Sequence, residues 1–317
     1  MYKATSWHQP LTKWFRNHKI NPKVQNSPHI GRFAPSPTGL LHMGSLVTAM
    51  ASYCQVKKSH GQWLVRIEDL DPPRETAGAS KNIIATLVKL GFYFNPEVIY
   101  QSNQQRQSAY QAALDRLIEQ SVVYYCSCSR TELKNCTLKT HACRNQIAPP
   151  KKPYSIKLKV PNKTVTFIDK IQGQYKKNLQ QDCGDFILKR KDGLFSYQIA
   201  VVIDDAFQNV TDIVRGIDLI ESTPWQIHLN SLLNLTQACY AHIPILVNDQ
   251  GQKLSKQTFA KEIDTKNPIQ TLLNAYDYLN QEPIPTQPKT VNEFWQLAID
   301  NWNIEKIAKV DSIEINS

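Results

Sequence analysis

The chain has 317 residues, of which 41% are hydrophobic, and a formal net charge of +10. This length allows one large domain with an insertion, or two modest domains. The excess of basic residues favours a polyanionic partner over an acidic one, although charge alone does not decide whether nucleic acid is bound. The sequence has no run of 18 or more apolar residues, and its first thirty residues lack the apolar core of a signal peptide. We therefore expect a cytoplasmic protein without a membrane partner.

Residues 1–28 form a basic segment before the first predicted strand. They contain no acidic residue, and their basic and large aromatic residues include Lys3, Trp7, Lys13, Trp14, Phe15, Arg16, Lys19 and Lys23. This composition predicts a partly ordered extension. It leaves open an arm that contacts nucleic acid, or an organellar transit peptide.

From His29 onward the sequence alternates between strand and helix patterns. "HIGRFA" is a short apolar-rich strand pattern, "LHMGSLVTAMASYCQVKKS" has helical spacing, and "GQWLVRIEDLD" is typical of a buried strand that ends in acids. This order predicts a βαβ unit and hence a parallel sheet. Further patterns of both kinds predict an α/β nucleotide-binding domain over residues 29–257, interrupted by an insertion at about 100–180. A short helical region is predicted at 258–317.

Two separated motifs supply groups that suit a polyphosphate. His42, Gly44 and Ser45 stand at the start of the first predicted helix, where backbone N–H groups and the helix dipole favour phosphate. A histidine can donate a hydrogen bond to a phosphate oxygen, and a glycine lets an adenine ring approach the backbone. Far downstream, "KLSKQ" brings Lys253 and Lys256, whose charge would act during an in-line displacement. Together the motifs predict an ATP site, whereas either one alone would be an ordinary helix start or surface loop.

The same two motifs carry a family resemblance. "PSPTGLLHMGS" and "KLSKQ" resemble the signatures of class I aminoacyl-tRNA synthetases, and "GRFAPSPTGLLHMGSL", "RIEDLDPPRE" and "YQIAVVIDDAFQNVTDIVRGIDL" are similar to the glutamyl-tRNA synthetase branch. The similarity covers residues from about 31 to 256. It departs from the second signature at Leu254, where the family has methionine, and at Gln257, where it has serine. The resemblance implies a Rossmann-type parallel-sheet catalytic domain that uses ATP with Mg²⁺, and it assigns catalysis to His42 and the two lysines.

The amino-acid pocket follows from the resemblance and from the chemistry of glutamate, which needs cationic or hydroxyl donors for two carboxylates and one acid for its ammonium group. By similarity, Arg32 and Arg215 would contact a substrate carboxylate. Glu68 would contact the ammonium group, and Tyr197 would add a hydroxyl. The two acids of "VVIDD" match an acidic pair of the family, for which we expect a structural role. Glutamate binding is assigned to Arg32, Phe33, Ala34, Pro35, Ser36, Glu68, Tyr197 and Arg215. ATP binding is assigned to His42, Gly44, Ser45 and Lys256.

Seven cysteines, four of them within residues 126–143, argue against the disulfide framework of a secreted protein and favour a reducing compartment. Cys126, Cys128 and Cys143 have a spacing that suits structural zinc, which takes four ligands in a tetrahedron. The stretch resembles the zinc-binding insertion of short glutamyl-tRNA-synthetase-like proteins, in which the remaining ligand is a tyrosine. Lys139 stands at that position here, so another side chain would have to substitute, or the site has been lost and the thiols are free. The candidate substitutes are Cys136 and His141.

Sixty residues follow Gln257 and contain two helix patterns. A complete glutamyl-tRNA synthetase would continue into a long helical region that reads the anticodon, so we expect no anticodon-binding domain. The resemblance narrows to the glutamyl-Q tRNA(Asp) synthetase family. It implies a ligase, expected to be monomeric, that activates L-glutamate and transfers it to the queuosine base at the wobble position of tRNA(Asp). The alternatives are a truncated glutamyl-tRNA synthetase that acts on the 3′ end of tRNA(Glu), and an inactive tRNA-binding module.

Replacing Lys256 tests the predicted ATP site. We expect Lys256→Ala to slow glutamate activation at least about tenfold, because a charge contact made in the transition state is lost. ATP–pyrophosphate exchange with glutamate measures this rate. An exchange rate equal to that of the unchanged protein would refute the assignment.

Overall fold

The fold is an α/β arrangement built around a largely parallel sheet. The computed structural model describes residues 28–129, 131–132, 142–254 and 262–315. Residues 1–27 of the predicted basic segment lie outside the described residues, as do Cys136, Lys139, His141, Lys256 and Gln257.

The predicted βαβ unit opens the fold. Strands β1 (Ile30–Phe33) and β2 (Gln62–Ile67) are parallel neighbours, and helix α1 (Met43–Lys58) connects them. The helix begins after His42, whose Nδ1 accepts the backbone N–H of Ser45. Two lysines in its last turn complement the negative end of the helix dipole. The unit therefore forms where the strand and helix patterns predicted it.

Further helices and strands follow along the chain. The elements are α2 Ala79–Lys89, β3 Ile99–Tyr100, α3 Gln104–Glu119, β4 Val123–Cys126, β5 Ser155–Leu158, β6 Thr164–Asp169, β7 Gly173–Asn178, β8 Phe186–Lys189, α4 Tyr197–Phe207, β9 Asp212–Gly216, α5 Thr223–Leu233, β10 Cys239–Ile243, β11 Ile245–Val247, α6 Pro268–Asp277, α7 Val291–Asp300 and β12 Ser312–Glu314. Short 3₁₀ helices include Pro72–Arg74, Ala142–Asn145, Ile217–Ser222 and Ile304–Lys306, and a π-helical turn spans Leu179–Cys183.

The main sheet confirms the predicted α/β class. Within the described residues it has seven strands, in the order β3-β2-β1-β9-β10-β6-β7. Neighbouring strands are parallel except β6 and β7, which form an antiparallel hairpin at one edge. That hairpin lies within the range of the predicted insertion, yet it joins the main sheet where Asp169 pairs with Tyr240 of β10. The carboxyl ends of β1, β2, β9 and β10 consequently meet at one edge of the sheet.

A second, antiparallel sheet holds the cysteine-bearing segment. Its strand order is β4-β5-β8, and helices α3, α4 and α5 pack over it in a separate hydrophobic core. Tyr110, Leu188 and Leu229 are among the fully buried members of that core. Because Cys126 is the last residue of β4, this sheet fixes the start of the cysteine segment.

The C-terminal helices pack in the main core against α1. The ring of Trp295 lies 4.7 Å from that of Tyr53 and 4.6 Å from that of Phe92, measured between centroids. Its indole N–H donates to the carbonyl of Leu90 at 2.8 Å. Strand β12 pairs in parallel with β11, which adds a second link between the C-terminal residues and the rest of the fold. None of the described helices combines the length and apolarity needed to traverse a bilayer.

Candidate active site

A cavity of about 500 Å³ opens at the carboxyl edge of the main sheet, beside the first turn of α1. Open parallel sheets bind their ligands at this edge. The predicted residues that line the cavity are Arg32, Phe33, Ala34, Pro35, Ser36, His42, Gly44, Ser45, Glu68, Tyr197, Arg215 and Lys253. The structure therefore brings together residues from distant stretches of the sequence.

One end of the cavity is formed by the start of helix α1. His42 Nδ1 accepts the backbone N–H of Ser45 at 3.3 Å, and its Nε2 lies 3.2 Å from Ser45 Oγ. A Cβ at position 44 would lie 3.2 Å from the imidazole, so Gly44 keeps the surface beside the ring open. The positive end of the helix dipole and its backbone N–H groups make this end suited to phosphate.

Lys253 brings an ammonium group to the same cavity. Its Nζ lies 2.6 Å from Oδ2 of Asp218, which belongs to the 3₁₀ helix that follows β9. Its backbone pairs with Val247 of β11 through a single antiparallel bridge. A bound polyphosphate would therefore compete with a carboxylate for this lysine.

Asp205 holds the arginine at the end of β1 in place. Arg32 donates to the two carboxylate oxygens from Nε at 3.1 Å and from Nη2 at 3.4 Å. Arg66 Nη2 donates to the same carboxylate at 2.8 Å. Burial favours the protonated acid, but the two guanidinium groups hold the pKa of Asp205 below its ordinary value. Since a guanidinium has five N–H donors, Arg32 keeps donors for a ligand while it is fixed by Asp205.

Glu68 follows β2 and supplies an acid to the wall of the cavity. Its Oε1 lies 3.4 Å from Arg66 Nη2. Burial raises the pKa of Glu68 to about 7. Two neighbouring arginines lower this pKa and two neighbouring aspartates raise it, so the arginines offset the effect of burial only in part. The carboxyl group therefore changes its charge near neutral pH, and a bound ammonium group would stabilise the ionised form.

Arg215, at the end of β9, is buried among neutral partners. Its Nη2 donates to Thr223 Oγ1 at 2.8 Å, and its Nη1 donates to the hydroxyl oxygen of Tyr197 at 3.3 Å. Its Nε donates to His242 Nε2 at 3.0 Å. Among the described residues, none of the ion pairs includes Arg215, which is 3% exposed. The cavity thus contains a desolvated positive charge that an anionic ligand would neutralise.

The ring of His242 explains how Arg215 is oriented. The Nδ1–H group donates to Asp169 Oδ2 at 2.6 Å, which leaves Nε2 as an acceptor for Arg215 in the neutral tautomer. Burial lowers the pKa of His242, although the hydrogen bond to Asp169 acts in the opposite direction. Asp169 is the last residue of β6, so the hairpin at the sheet edge holds His242, and through it Arg215, in position.

The sequence analysis did not identify the residues that bind the buried Asp204 of the acidic pair. Asp204 is fully buried and accepts from Gln101 Nε2 at 2.7 Å, from Arg106 Nε at 2.8 Å and from the Tyr110 hydroxyl at 2.7 Å. It therefore ties α3 to α4, in agreement with the structural role expected for the acidic pair. Arg106 and Tyr110 stand four residues apart on one helix face, and Arg66 interrupts an otherwise apolar strand. These patterns are signals that buried polar partners exist, but they do not identify the partners.

The thiols of Cys126, Cys128 and Cys143 form a cluster at the end of β4. Their sulfur atoms all lie within 4.8 Å of one another, and the distance from Cys128 to Cys143 is 3.4 Å. Zn–S bonds of about 2.3 Å in a tetrahedron place sulfur atoms about 3.8 Å apart, so the three thiols fit one face of a zinc site. Burial and the neighbouring thiols raise the pKa of Cys128 to about 12. A bound divalent cation would reverse this effect and hold the thiolates.

Sequence comparisons identify the family to which the chain is similar. The family profile described as "tRNA synthetases class I (E and Q), catalytic domain" matches residues 30–271. A glutamyl-Q tRNA(Asp) synthetase from Neisseria meningitidis serogroup A is 45% identical over 291 residues, which cover 89% of this chain and 98% of the relative. One from Chromobacterium violaceum is 42% identical over 291 residues, with coverages of 90% and 97%. One from Pseudomonas putida is also 42% identical, with coverages of 90% and 95%.

A solved structure shares the fold. A glutamate tRNA ligase from Elizabethkingia meningosepticum, crystallised in complex with its amino acid, superimposes with a TM-score of 0.75 at 22% identity. The match covers 90% of this chain and 66% of that one, so the chain spans slightly less than two thirds of the ligase. At this identity the likeness establishes the fold alone. The family profile and the relatives with 42–45% identity show more: this chain belongs to the class I tRNA synthetases (E and Q), within the glutamyl-Q tRNA(Asp) synthetase family.

Proposed function

We propose that this protein activates L-glutamate with ATP and transfers the glutamyl group to the queuosine base at the wobble position of tRNA(Asp). The observation that carries the proposal is the buried Arg215, whose hydrogen-bond partners are neutral, in a cavity that also contains the acid Glu68. A ligand with anionic and cationic groups is complementary to this arrangement. The names of the relatives support glutamate and tRNA(Asp) as the substrates.

The cavity offers a partner for each charged group of glutamate. Arg215 and the remaining N–H donors of Arg32 would bind carboxylate oxygens. Tyr197 accepts a hydrogen bond from Arg215, so its own O–H group can donate to the substrate. Burial raises the pKa of Tyr197 and keeps that hydroxyl protonated. Glu68 would bind the ammonium group.

Activation would occur where the amino-acid pocket meets the start of α1. An oxygen of the glutamate α-carboxylate attacks the α-phosphorus of ATP, and the bond from that phosphorus to pyrophosphate breaks. No protein side chain has to become a covalent nucleophile. His42, Ser45 and the helix N-terminus would hold phosphate oxygens, while Lys253 and Lys256 would stabilise the charge of the departing pyrophosphate. Mg²⁺, when bound together with ATP, would supply further charge stabilisation.

The acceptor can be tested directly with labelled glutamate and ATP. We expect the protein to label tRNA(Asp) that carries queuosine, and to leave tRNA(Asp) with unmodified guanosine and tRNA(Glu) unlabelled. ATP–pyrophosphate exchange with glutamate, measured without tRNA, serves as the control for an active preparation. Labelling that does not depend on queuosine, or labelling of tRNA(Glu), would overturn the choice of acceptor. Absence of ATP–pyrophosphate exchange would instead favour the alternative that the protein is an inactive tRNA-binding module.

The titration of Glu68 predicts how glutamate binding depends on pH. Below about pH 7 the carboxyl group of the ligand-free protein is protonated, and an uncharged acid attracts an ammonium group only weakly. We therefore expect the KM for glutamate to be constant above pH 8 and to rise about tenfold per pH unit below pH 6. Exchange assays at saturating ATP measure this profile.

A variant without the charge at position 68 distinguishes the contribution of Glu68 to the pH dependence of KM from that of other titrating groups, which include the phosphates of ATP. Glu68→Gln should bind glutamate weakly at every pH and should lose the rise in KM at low pH. The same pH profile in Glu68→Gln as in the unchanged protein would assign the titration to another group. A flat profile in the unchanged protein would contradict the contact between Glu68 and the ammonium group.

We further propose that the thiol cluster holds structural zinc. Three sulfur ligands are already gathered by β4 and the 3₁₀ helix at Ala142–Asn145. The fourth ligand would come from Cys136 or His141. When bound, the zinc would link the residues between Cys128 and Cys143 to the antiparallel sheet.

Metal analysis tests the zinc site. We expect about one equivalent of zinc in the purified protein, loss of the metal in Cys128→Ser, and retention in the control Cys239→Ser, which alters an exposed thiol on β10. Comparing Cys136→Ser with His141→Ala would identify the fourth ligand. A zinc content below a few tenths of an equivalent, with no loss of folding in chelator, would exclude the site.

A further inference from the structure

A second cavity of about 290 Å³ adjoins the first one. The residues that line both are Ser36, Thr38, Glu68, Arg74 and Tyr197. Within the described residues, the lining of the second cavity includes none of the groups assigned to ATP, such as His42 or Lys253. The wall formed by Glu68 and Tyr197 therefore separates the nucleotide end of the site from this second cavity.

Two buried oxygen atoms at the second cavity have no hydrogen-bond donor within the part of the chain that the structure describes. Gln101 is fully buried, and its Nε2 donates to Asp204 at 2.7 Å. This bond orients the amide, and its Oε1 has no donor among the described residues. Oε1 of Glu75 is also buried without a donor among them. Unsatisfied buried acceptors are rare and costly, so the two oxygens indicate a ligand that carries donors.

The charges around the cavity favour a cationic ligand. Asp71 is already paired with Arg74, and with Arg190 at 3.1 Å. Among the ion pairs of the described residues, none includes Glu75. Burial raises the pKa of Glu75, and the nearby Asp69 and Asp71 add to the effect. A positively charged group placed here would relieve both the repulsion between these acids and the desolvation of Glu75.

We propose that the second cavity receives the side chain of the acceptor base. This inference rests on the proposed function. Queuosine carries a secondary amine, which is protonated at neutral pH, and a five-membered ring with two neighbouring hydroxyl groups. Glu75 would bind the ammonium group, and Oε1 of Gln101 would accept one hydroxyl proton. The chemistry of this side chain thus supplies the two kinds of donor that the buried oxygens lack.

The shared wall brings the acceptor to the activated glutamate. The oxygen of one hydroxyl group attacks the carbonyl carbon of glutamyl-adenylate and forms a new C–O bond. The bond from that carbon to the phosphate oxygen breaks, AMP leaves, and the hydroxyl proton is taken up by the AMP phosphate. The amine, held as an ammonium ion by Glu75, has no lone pair with which to compete.

The Glu75→Gln variant separates acceptor binding from glutamate activation. We expect kcat/KM for labelling queuosine-containing tRNA(Asp) to fall at least about tenfold more than the rate of ATP–pyrophosphate exchange, because a charge-assisted contact to the acceptor is lost. The matched control is Glu119→Gln, which removes the same charge from an exposed position at the end of α3. Its kcat/KM should stay within about twofold of the unchanged protein.

A second measurement uses the unchanged protein. The free nucleoside queuosine should inhibit the labelling of tRNA(Asp) at least about tenfold more strongly than 7-deazaguanosine, which has no side chain for the cavity. Equal inhibition by the two nucleosides, or equal losses of exchange and labelling in a folded Glu75→Gln, would overturn the inference. Failure of the unchanged protein to label queuosine-containing tRNA(Asp) would instead overturn the proposed function.

Discussion

The carboxylate of Asp205, shared by two buried guanidinium groups, is the interaction on which the cavity depends. It fixes Arg32 at the end of β1 and Arg66 at the end of β2, while the adjacent Asp204 binds a third arginine from α3. Removing one partner from a buried pair of this kind typically costs about 3–5 kcal/mol, since an uncompensated charge stays behind. Two consecutive acids on α4 thus pair with the three arginines, whereas Arg215 is in none of the ion pairs of the described residues and is available to a substrate.

The family resemblance predicted which residues form the cavity, and the fold explains why they meet at the carboxyl edge of the sheet, because parallel strands necessarily end on the same side. Arg32, Glu68 and Arg215 each follow or end a strand, so their meeting follows from topology once the βαβ order is recognised. The partners of Arg66 were not predictable in this way. Asp205, which accepts a hydrogen bond from Arg66, lies 139 positions away on α4, and a charged residue inside an apolar strand shows only that a partner must exist. The roles assigned to the cavity residues remain predictions.

Two packing relations also could not be predicted from the sequence. The alternation in "TVTFID" identifies β6 as a strand but not its neighbour, and only the fold places Asp169 behind His242 at the edge of the main sheet. The C-terminal helices have apolar faces that predict burial, but the partner of those faces is set by tertiary contacts. They cover α1 through Trp295, and this packing fixes the helix that begins directly after His42. Residues far from the cavity thereby determine the geometry of its phosphate end.

The charged side chain that has no ion-pair partner among the described residues is Arg215 in the first cavity and Glu75 in the second, and this difference in sign affects selectivity. Arg215 favours an anion in the first cavity, and Glu75 favours a cation in the second, with Glu68 and Tyr197 between them. The net charge of +10 can attract any tRNA backbone, since phosphate contacts carry no base information. A tRNA without an ammonium group and hydroxyl donors in the second cavity would leave the oxygens of Glu75 and Gln101 unpaired. Unpaired buried oxygens penalise such a tRNA by desolvation, so discrimination between acceptors would arise in this cavity, while the basic surface contributes affinity to all of them.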